Sequence, residues 1–176
     1  MNEYIWGSYY FKNRNLFAQT LADNLPIGPF IILSGVESTN NYAMAKLHAG
    51  LLDHGTCLMA LVQTAGKGQR GKKWVARPGE NITMTTVLQP PSYKPFIYSA
   101  AIALGCYDFI KGFGIENVAI KWPNDIYIGD RKAAGILVEN IFQGGFWQWA
   151  IAGTGINLNQ VEFPAEIAQK AGSVKL

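Results

Sequence analysis

Residues 57–74 read Cys57-Leu-Met-Ala-Leu-Val-Gln-Thr-Ala-Gly-Lys-Gly-Gln-Arg-Gly-Lys-Lys-Trp74, an apolar run that leads into a stretch rich in glycine and lysine. The continuous apolar run predicts a buried strand. In the stretch that follows, three glycines alternate with four cations. Glycine brings backbone N–H groups close to a ligand, and successive N–H groups of this kind bind anions. The sequence therefore predicts an anion-binding loop, the glycine–lysine loop (residues 63–74), although a solvated basic loop is the alternative at this point.

Two familiar phosphate-binding motifs fail in this loop. Gly66 to Gly71 fits G-x-G-x-x-G, but that fingerprint requires a helix directly behind it. Pro78-Gly79 predicts a turn instead. The P-loop pattern fails because Lys73 stands where a serine or threonine binds Mg²⁺. The loop must therefore use its ligand differently from either motif.

The composition indicates one globular domain. The chain has 176 residues, of which 49% are hydrophobic and 15% are charged, so it can form a core and is not a disordered protein. The net charge is +3, and five of the fifteen Lys and Arg residues lie between residues 67 and 77. This local excess suits a small anionic ligand better than a nucleic-acid track, so no nucleic-acid partner is expected.

Cysteine, histidine and hydropathy patterns argue against a disulfide-bonded protein, a protein-held metal centre and a membrane or secreted protein. Cys57 and Cys106 lie far apart in apolar runs, which favours buried reduced thiols in a cytoplasmic protein over a disulfide. His48 and His54 have no Cys or Glu partners at metal-ligand spacing, so no protein-held metal centre is expected. No apolar run approaches the length of a membrane span, and the N-terminus carries no secretory signal pattern.

The periodicity of the chain predicts an α+β order. Helices are predicted over residues 16–25, 40–52, 96–113 and 163–172. Strands are predicted over residues 30–33, 57–62, 81–88, 118–122, 125–128, 132–142 and 146–158, the last of which form a meander with short hairpins. This order predicts helices packed on one mixed or antiparallel sheet.

Three further motifs lie at predicted strand ends. They are Lys121-Trp-Pro-Asn-Asp125, Asp130-Arg-Lys-Ala-Ala-Gly135 and Ala152-Gly-Thr-Gly-Ile-Asn157. Each has an ordinary explanation as a polar turn, a solvent-facing lysine or a β-bulge. However, Gly135 inside a strand indicates that something approaches the backbone closely. Four glycine- or amide-rich motifs at strand ends, the glycine–lysine loop included, are hard to explain as four independent turns.

Together these motifs resemble the signatures of the biotin protein ligase family. The segment 66–74 is similar to the family's glycine–arginine loop, and the segments 121–125 and 131–139 are similar to its second signature. Glu37-Ser-Thr-Asn40 and Gly153-Thr-Gly-Ile-Asn157 match its first and last signatures. The four motifs occur in family order.

The resemblance implies a fold and a reaction. The catalytic domain would be similar to that of class II aminoacyl-tRNA synthetases. Biotin and ATP would give biotinyl-5′-adenylate and pyrophosphate, and biotin would then pass to a lysine of a biotin carboxyl carrier protein. Mg²⁺ would arrive on the phosphates, so no metal cage of protein side chains is needed.

By residue match, the resemblance assigns roles to individual positions. Catalysis would fall to Lys132, Arg70, Lys67 and Asp125, with Asp125 orienting or deprotonating the acceptor amine. Biotin would contact Ser38, Thr39, Asn40, Gln63, Gly66, Gln69, Lys132, Gly135, Gly153 and Gly155. ATP would contact Lys67, Arg70, Trp74, Asn124, Lys132 and Asn157.

The chain departs from the family pattern in the loop. The family loop most often reads Gly-Arg-Gly-Arg, whereas this chain has Lys67 and Gln69. Lysine keeps the charge but loses the bidentate fork of arginine, and glutamine loses the charge. We therefore expect the adenylate to escape faster than from an arginine version.

The chain also departs from the family pattern in its domains. Residues 1–36 carry no basic helix–turn–helix pattern, so neither a DNA-binding domain nor a repressor role is expected. The family's small C-terminal β-barrel domain should follow but is expected to be absent or truncated. Residues 1–176 would then form a single catalytic domain, either as a fragment or as a shortened member.

Other interpretations are left open. A lipoate ligase has the nearest chemistry, although the segment 121–125 and the glycine–lysine loop favour biotin. A non-catalytic binder of biotin or nucleotide would fit the shortened chain and Gln69. A nucleic-acid-binding module would need a stripe of stacking aromatics, which the basic cluster lacks. An exposed sheet edge could pair two subunits as a homodimer or dock the carrier domain.

Overall fold

The computed structural model describes residues 28–90 and 94–176 and shows a seven-stranded sheet with a helix on each face. The helix predicted over residues 16–25 lies outside the described residues. Within those residues, no helix is long and apolar enough to cross a membrane. The same part of the chain contains no group of three His, Cys, Asp or Glu side chains arranged as metal ligands.

The sheet is mixed and mostly antiparallel, as predicted. Its strands are β1 (Phe30–Leu33), β2 (Cys57–Ala60), β3 (Asn81–Leu88), β4 (Val118–Lys121), β5 (Asp125–Ile128), β6 (Arg131–Gln143) and β7 (Phe146–Asn157). Their order across the sheet is β1-β2-β3-β7-β6-β5-β4. Strands β1 and β2 are parallel, and all other neighbours are antiparallel. Gly144 and Gly145, both with positive φ, form the two-residue hairpin between β6 and β7.

Two α-helices are described, α1 (Thr39–His48) and α2 (Phe96–Lys111). Ser38 caps α1, since its Oγ accepts a hydrogen bond from the backbone N–H of Asn41 at 3.5 Å. The prediction that α1 extends to residue 52 was wrong. The helix ends at His48 because Gly50, with φ of 69°, turns the chain in a left-handed conformation.

The helix predicted over residues 163–172 was also wrong, because this segment forms turns. Its last residues pair with the start of β6 instead. The backbone N–H of Lys132 donates to the carbonyl of Lys170 at 2.7 Å, and the N–H of Gly172 donates to the carbonyl of Lys132 at 2.9 Å. Pairing with a strand therefore takes up the backbone groups that a helix would use.

Alternate residues of the central strands face opposite helices. Val87 and Ile151 belong to the core beneath α1, whereas Ile82 and Ile156 belong to the core beneath α2. Because side chains alternate along a strand, the odd-numbered residues of β3 and β7 face α1. This face carries Thr83 and Thr85 of β3 and Gly153 and Gly155 of β7.

The α2 face is only partly covered by its helix within the described residues. Helix α2 packs on β4, β5 and β6. Beside it, over β1, β2 and β3, lies a cavity of about 580 Å³. Its mostly apolar lining includes Phe30, Met59, Met84, Leu88, Ile102 and Phe109.

Candidate functional site

The candidate site lies on the α1 face, where glycines replace side chains in the middle of the sheet. Gly155 of β7 lies between Gly135 of β6 and Thr83 of β3. In the next row, Gly153 lies beside Thr85. These glycines form the floor of a cavity of about 50 Å³.

Two side chains occupy the space above the glycine floor. A Cβ atom at Gly155 would lie 2.6 Å from Nε1 of Trp74, and one at Gly153 would lie 2.9 Å from Cγ of Asn40. Real Cβ atoms essentially never make such short contacts. Glycine at both positions is therefore a condition for the observed placement of Trp74 and Asn40.

The N-terminus of α1 forms one wall of the cavity. Gln63 is held there by a parallel bridge with Val36. Its Oε1 accepts hydrogen bonds from the backbone N–H of Thr39 at 2.9 Å and from the hydroxyl of Thr39 at 3.2 Å. Because Oε1 is occupied in this way, the amide nitrogen of Gln63 is the group left for a ligand.

Asn40 is buried in the same wall, with 3% of its surface exposed. Its Oδ1 accepts a hydrogen bond from the hydroxyl of Thr85 at 2.6 Å. Its Nδ2 donates to Oε2 of Glu139 at 2.8 Å and to the carbonyl of Leu137 at 3.3 Å. Both amide hydrogens are used inside the protein, so Asn40 shapes the wall and its orientation is fixed.

A lysine and a carboxylate meet at the opposite side of the cavity. Nζ of Lys132 lies 2.5 Å from Oδ1 of Asp125, and Nδ2 of Asn124 donates to the same oxygen at 2.9 Å. The Lys132 ammonium also lies 5.8 Å from the centre of a ring of Trp74. A cation thus lies between the aromatic ring and the carboxylate, at the edge of the glycine floor.

The glycine–lysine loop folds back over the site, and hydrogen bonds join its two sides as in a hairpin. The N–H of Gly68 donates to the carbonyl of Lys72 at 2.7 Å, and the N–H of Trp74 donates to the carbonyl of Gly66 at 2.9 Å. Residues Gln69–Gly71 form a short 3₁₀ turn, and the next element along the chain is the strand β3 and not an α-helix. This confirms that the loop is neither a dinucleotide fingerprint nor a P-loop.

Most of the predicted site residues are brought together. The cavity is lined by Ser38, Thr39, Asn40, Gln63, Lys67, Gln69, Trp74, Asn124, Lys132, Gly135, Gly153 and Gly155. Asp125 contacts Lys132 directly, and Gly66 is buried against the backbone of Trp74. Arg70 and Asn157 do not line the cavity. Arg70 is exposed and Asn157 is buried further along β7. The roles of all the predicted site residues stay predictions.

Sequence reasoning missed other residues that take part in the site. Thr83 and Thr154 line the cavity, and Thr85 and Glu139 fix the amide of Asn40. The available signals were weak. Two threonines occur on one face of a buried strand, and an acidic residue ends an apolar run, patterns that many sheets show.

Three buried polar atoms have no hydrogen-bond partner within the described part of the chain. They are Nε1 of Trp74, Oδ1 of Asn157 and Oγ of Ser173. Trp74 covers Gly155, and Nδ2 of Asn157 donates to the carbonyl of Gly172 at 2.9 Å, next to Ser173. Unpaired buried polar atoms destabilise a fold unless a ligand or water completes their hydrogen bonds.

Comparison with known families shows which family the chain belongs to. A family model for the biotin/lipoate A/B protein ligases matches residues 33–157. This match covers more than half of the chain, so the chain belongs to the biotin/lipoate A/B protein ligase family. The resemblance seen in the four motifs is confirmed.

Curated relatives are named as ligases, and some of them are named as biotin ligases. Over 145 residues the chain is 33% identical to the bifunctional ligase/repressor BirA of Escherichia coli (strain K12), covering 81% of this chain and 44% of BirA. Over 132 residues it is 37% identical to the biotin–[acetyl-CoA-carboxylase] ligase of Paracoccus denitrificans, covering 72% of this chain and 53% of that one. The chain thus spans about half the length of the curated relatives it matches.

Solved structures show the same fold. The biotin protein ligase from Aquifex aeolicus in complex with biotin and ATP matches with a TM-score of 0.70 and 29% identity, covering 82% of this chain and 59% of that chain. Lipoate-protein ligase A bound with ATP matches with a TM-score of 0.59 over 84% of this chain and 76% of that chain. At 8% identity the second match shows the fold alone. The predicted fold, that of biotin and lipoate ligases and class II aminoacyl-tRNA synthetases, is confirmed.

Proposed function

We propose that this chain is the catalytic domain of an ATP-dependent biotin protein ligase. It would activate biotin to biotinyl-5′-adenylate and transfer biotin to a lysine of a biotin carboxyl carrier protein. The observation that carries the proposal is the cavity in which the Lys132 ammonium lies between Trp74 and Asp125 beside a glycine floor. The names of curated relatives such as the biotin–[acetyl-CoA-carboxylase] ligase of Paracoccus denitrificans support biotin as the substrate.

The first step requires cations because it brings two anions together. The biotin carboxylate attacks the α-phosphate of ATP, and pyrophosphate leaves. Lys132 would hold the carboxylate and then the adenylate phosphate, and Lys67 lines the same cavity from the loop. Positioned cations of this kind stabilise the charge that develops in phosphoryl and acyl-phosphate transfer. Mg²⁺ would arrive with the phosphates.

The nucleotide would bind at the Trp74 end of the cavity. Nε1 of Trp74 is a buried donor and Oδ1 of Asn157 a buried acceptor, and both lack partners among the described residues. An adenine ring offers both acceptors and donors at its edges. These two atoms are therefore our candidates for adenine recognition.

Loss of the Lys132 charge tests the first step. We expect Lys132→Met to lower the rate of pyrophosphate release with biotin and ATP by about a hundredfold or more, because a cation facing the reacting anions is removed. Lys170→Met is the matched control, since the exposed Lys170 side chain lies outside the cavity. A wild-type chain that neither binds biotin in calorimetric titration nor releases pyrophosphate would refute the proposal.

Asp125 is our candidate for the second step, in which the acceptor lysine must attack as a neutral amine. Its carboxylate already accepts a hydrogen bond from Nζ of Lys132 at 2.5 Å. We expect Asp125→Asn to slow transfer from preformed adenylate by about 10²- to 10⁴-fold, the range of general base catalysis. Use of preformed adenylate separates this effect from any change in the rate of the first step. Unchanged transfer would exclude the role.

Two alternative functions, a lipoate ligase and a non-catalytic binder, are decided by simple measurements. A lipoate ligase would release pyrophosphate with lipoate and not with biotin, and a non-catalytic binder would bind biotin without releasing pyrophosphate.

We also propose a cytoplasmic location, to be checked by cell fractionation. A homodimer could form through β1 or β4, the outer strands of the described sheet, and sedimentation would show it.

A further inference from the structure

Glu139 connects the buried wall of the cavity to the glycine–lysine loop. It lies on β6 opposite Ile151 of β7, at the margin between the core beneath α1 and the cavity. Its side chain is 30% exposed. One carboxylate oxygen points inward to Nδ2 of Asn40 at 2.8 Å, and the other lies 3.4 Å from Nζ of Lys67.

The inward oxygen of Glu139 fixes the orientation of a buried amide. Asn40 could present either its oxygen or its nitrogen to the glycine floor, since the two ends of an amide have the same shape. The Thr85 hydroxyl at Oδ1 and the Glu139 carboxylate at Nδ2 select one orientation. Because Asn40 lies directly above Gly153, this choice sets the polarity of the wall that a ligand meets.

The outward oxygen of Glu139 anchors the loop. Lys67 is the one cation of the glycine–lysine loop that forms an ion pair with a described residue; Arg70, Lys72 and Lys73 form none. The Lys67 side chain is 43% exposed, so the ion pair is weak and salt-sensitive. A weak ion pair of this kind holds the loop in place but still allows a phosphate to replace the carboxylate as the partner of Lys67.

We propose that Glu139 is a positioning residue that couples the wall beside Asn40 to the glycine–lysine loop. One oxygen holds the amide of Asn40 in the orientation that receives biotin, and the other holds Lys67 over the cavity until substrate phosphates replace the carboxylate. The biotin part of this proposal rests on the proposed function. The loop part does not, because it concerns the ligand-free protein.

Two variants separate the roles of the two Glu139 oxygens, and a third variant serves as the control. Glu139→Gln keeps a carbonyl oxygen for Asn40 but removes the charge that faces Lys67, whereas Glu139→Ala removes both. Glu166→Gln removes the charge of an exposed glutamate that forms no ion pair with a described residue, and it serves as the matched control. Circular dichroism would first establish that each variant is folded.

Limited proteolysis of the ligand-free protein with subtilisin tests the anchor. Cleavage within residues 66–74 should become about two- to fivefold faster in both Glu139 variants, as expected for the loss of an exposed ion pair. The difference from wild type should shrink in high salt. Lys67→Met combined with Glu139→Gln should be no faster than either single variant. Equal cleavage of wild type, Glu139→Gln and Glu166→Gln would overturn the loop part.

Biotin affinity, measured by calorimetry, tests the amide. Glu139→Ala should bind biotin about tenfold more weakly, because the buried amide of Asn40 loses a charged hydrogen-bond partner. Glu139→Gln should stay close to the wild-type affinity, which a general loss of packing would not produce. Equal affinities of the alanine variant and the wild type would overturn the biotin part. A wild type that does not bind biotin would contradict the proposed function, while the proteolysis result would still decide the loop part.

Discussion

At the scale of single residues, the site depends on positions that have no side chain. The Trp74 indole lies where a side chain at position 155 would lie, and the Asn40 amide lies where a side chain at position 153 would lie. A glycine in the middle of a strand weakens it, because it contributes no packing and loses more entropy on folding. Retaining glycine at these two positions of β7 is therefore a stability cost that the cavity requires.

Gly155→Ala tests this dependence. The added methyl group would displace Trp74, and we expect ATP affinity to fall about tenfold or more while the fold is retained. Gly105→Ala in α2 is the matched control, since nothing lies within 4 Å of the Cβ position there. That control should leave ATP binding unchanged and stabilise the protein by about 0.5–1 kcal/mol. An unaltered ATP affinity in Gly155→Ala would show that Trp74 does not contact the nucleotide.

The buried thiol of Cys106 makes stability depend on pH. Burial raises its pKa from the ordinary value of 9.0 to about 11. Because the folded state keeps a proton that the unfolded state loses above pH 9, stability is complete below that pH and falls as the pH rises toward 11. Urea titrations between about pH 8 and pH 10 should show a loss of about 1 kcal/mol that Cys106→Ala removes. A pH dependence that is the same in Cys106→Ala would contradict this.

The sequence predicted the positions of some site residues well and those of others less well. The cavity brings Gln63, Lys132 and Gly135 together as the motifs suggested. Arg70, in contrast, is exposed, and its backbone adopts φ of 55° within the 3₁₀ turn. Loop dihedrals of this kind follow from local hydrogen bonds, which residue spacing does not encode.

At the scale of elements, strands were easier to predict than helix ends. Strand β3 was predicted with its observed bounds, because its alternation is regular and turn residues precede it. The end of α1 was missed because Gly50 takes a left-handed conformation within a pattern that looks helical. The last segment was missed because its partner, the start of β6, lies more than 30 residues away in the sequence. Tertiary pairing overrides local propensity in such cases.

The glycine–lysine loop departs from the Gly-Arg-Gly-Arg pattern expected of the family. Gln69 lines the cavity without a charge, and Lys67 supplies a point charge in place of a guanidinium fork. We expect Gln69→Arg to slow the release of biotinyl-adenylate about tenfold, which a filter-binding time course would measure. Gln143→Arg, in the exposed end of β6, adds the same charge far from the cavity and should have no effect. Equal release from the wild type and Gln69→Arg would refute the expectation.

At the scale of the whole molecule, the sheet gathers a site from segments that are distant in the sequence. The residues that line the cavity extend from Ser38 to Gly155. The segment that closes the structure lies further on, where Gly172 pairs with Lys132 and Val174 with Asn157. This final segment holds the end of β7 against the start of β6, so it supports the lysine and asparagine of the site through their backbones.

Removal of residues 171–176 tests this support. The carbonyls of Lys132, Asn157 and Leu158 would lose their partners, and we expect the melting temperature to fall by about 5–15 °C. The control is removal of Leu176 alone, a residue that is 60% exposed and whose loss should have little effect. Differential scanning calorimetry would compare the two. Equal melting temperatures would show that the segment is an independent appendage.

The pairing of the final segment with Lys132 also has a consequence for biosynthesis. A ribosome adds residues 171–174 after all the strands of the described sheet, so for a time the strands have left the exit tunnel and these residues have not. A nascent chain can pair β6 with β7 during this time, but the carbonyls of Lys132 and Asn157 still lack their partners. The lysine at the centre of the cavity therefore reaches its final support only after residues 171–174 have been translated and have left the exit tunnel.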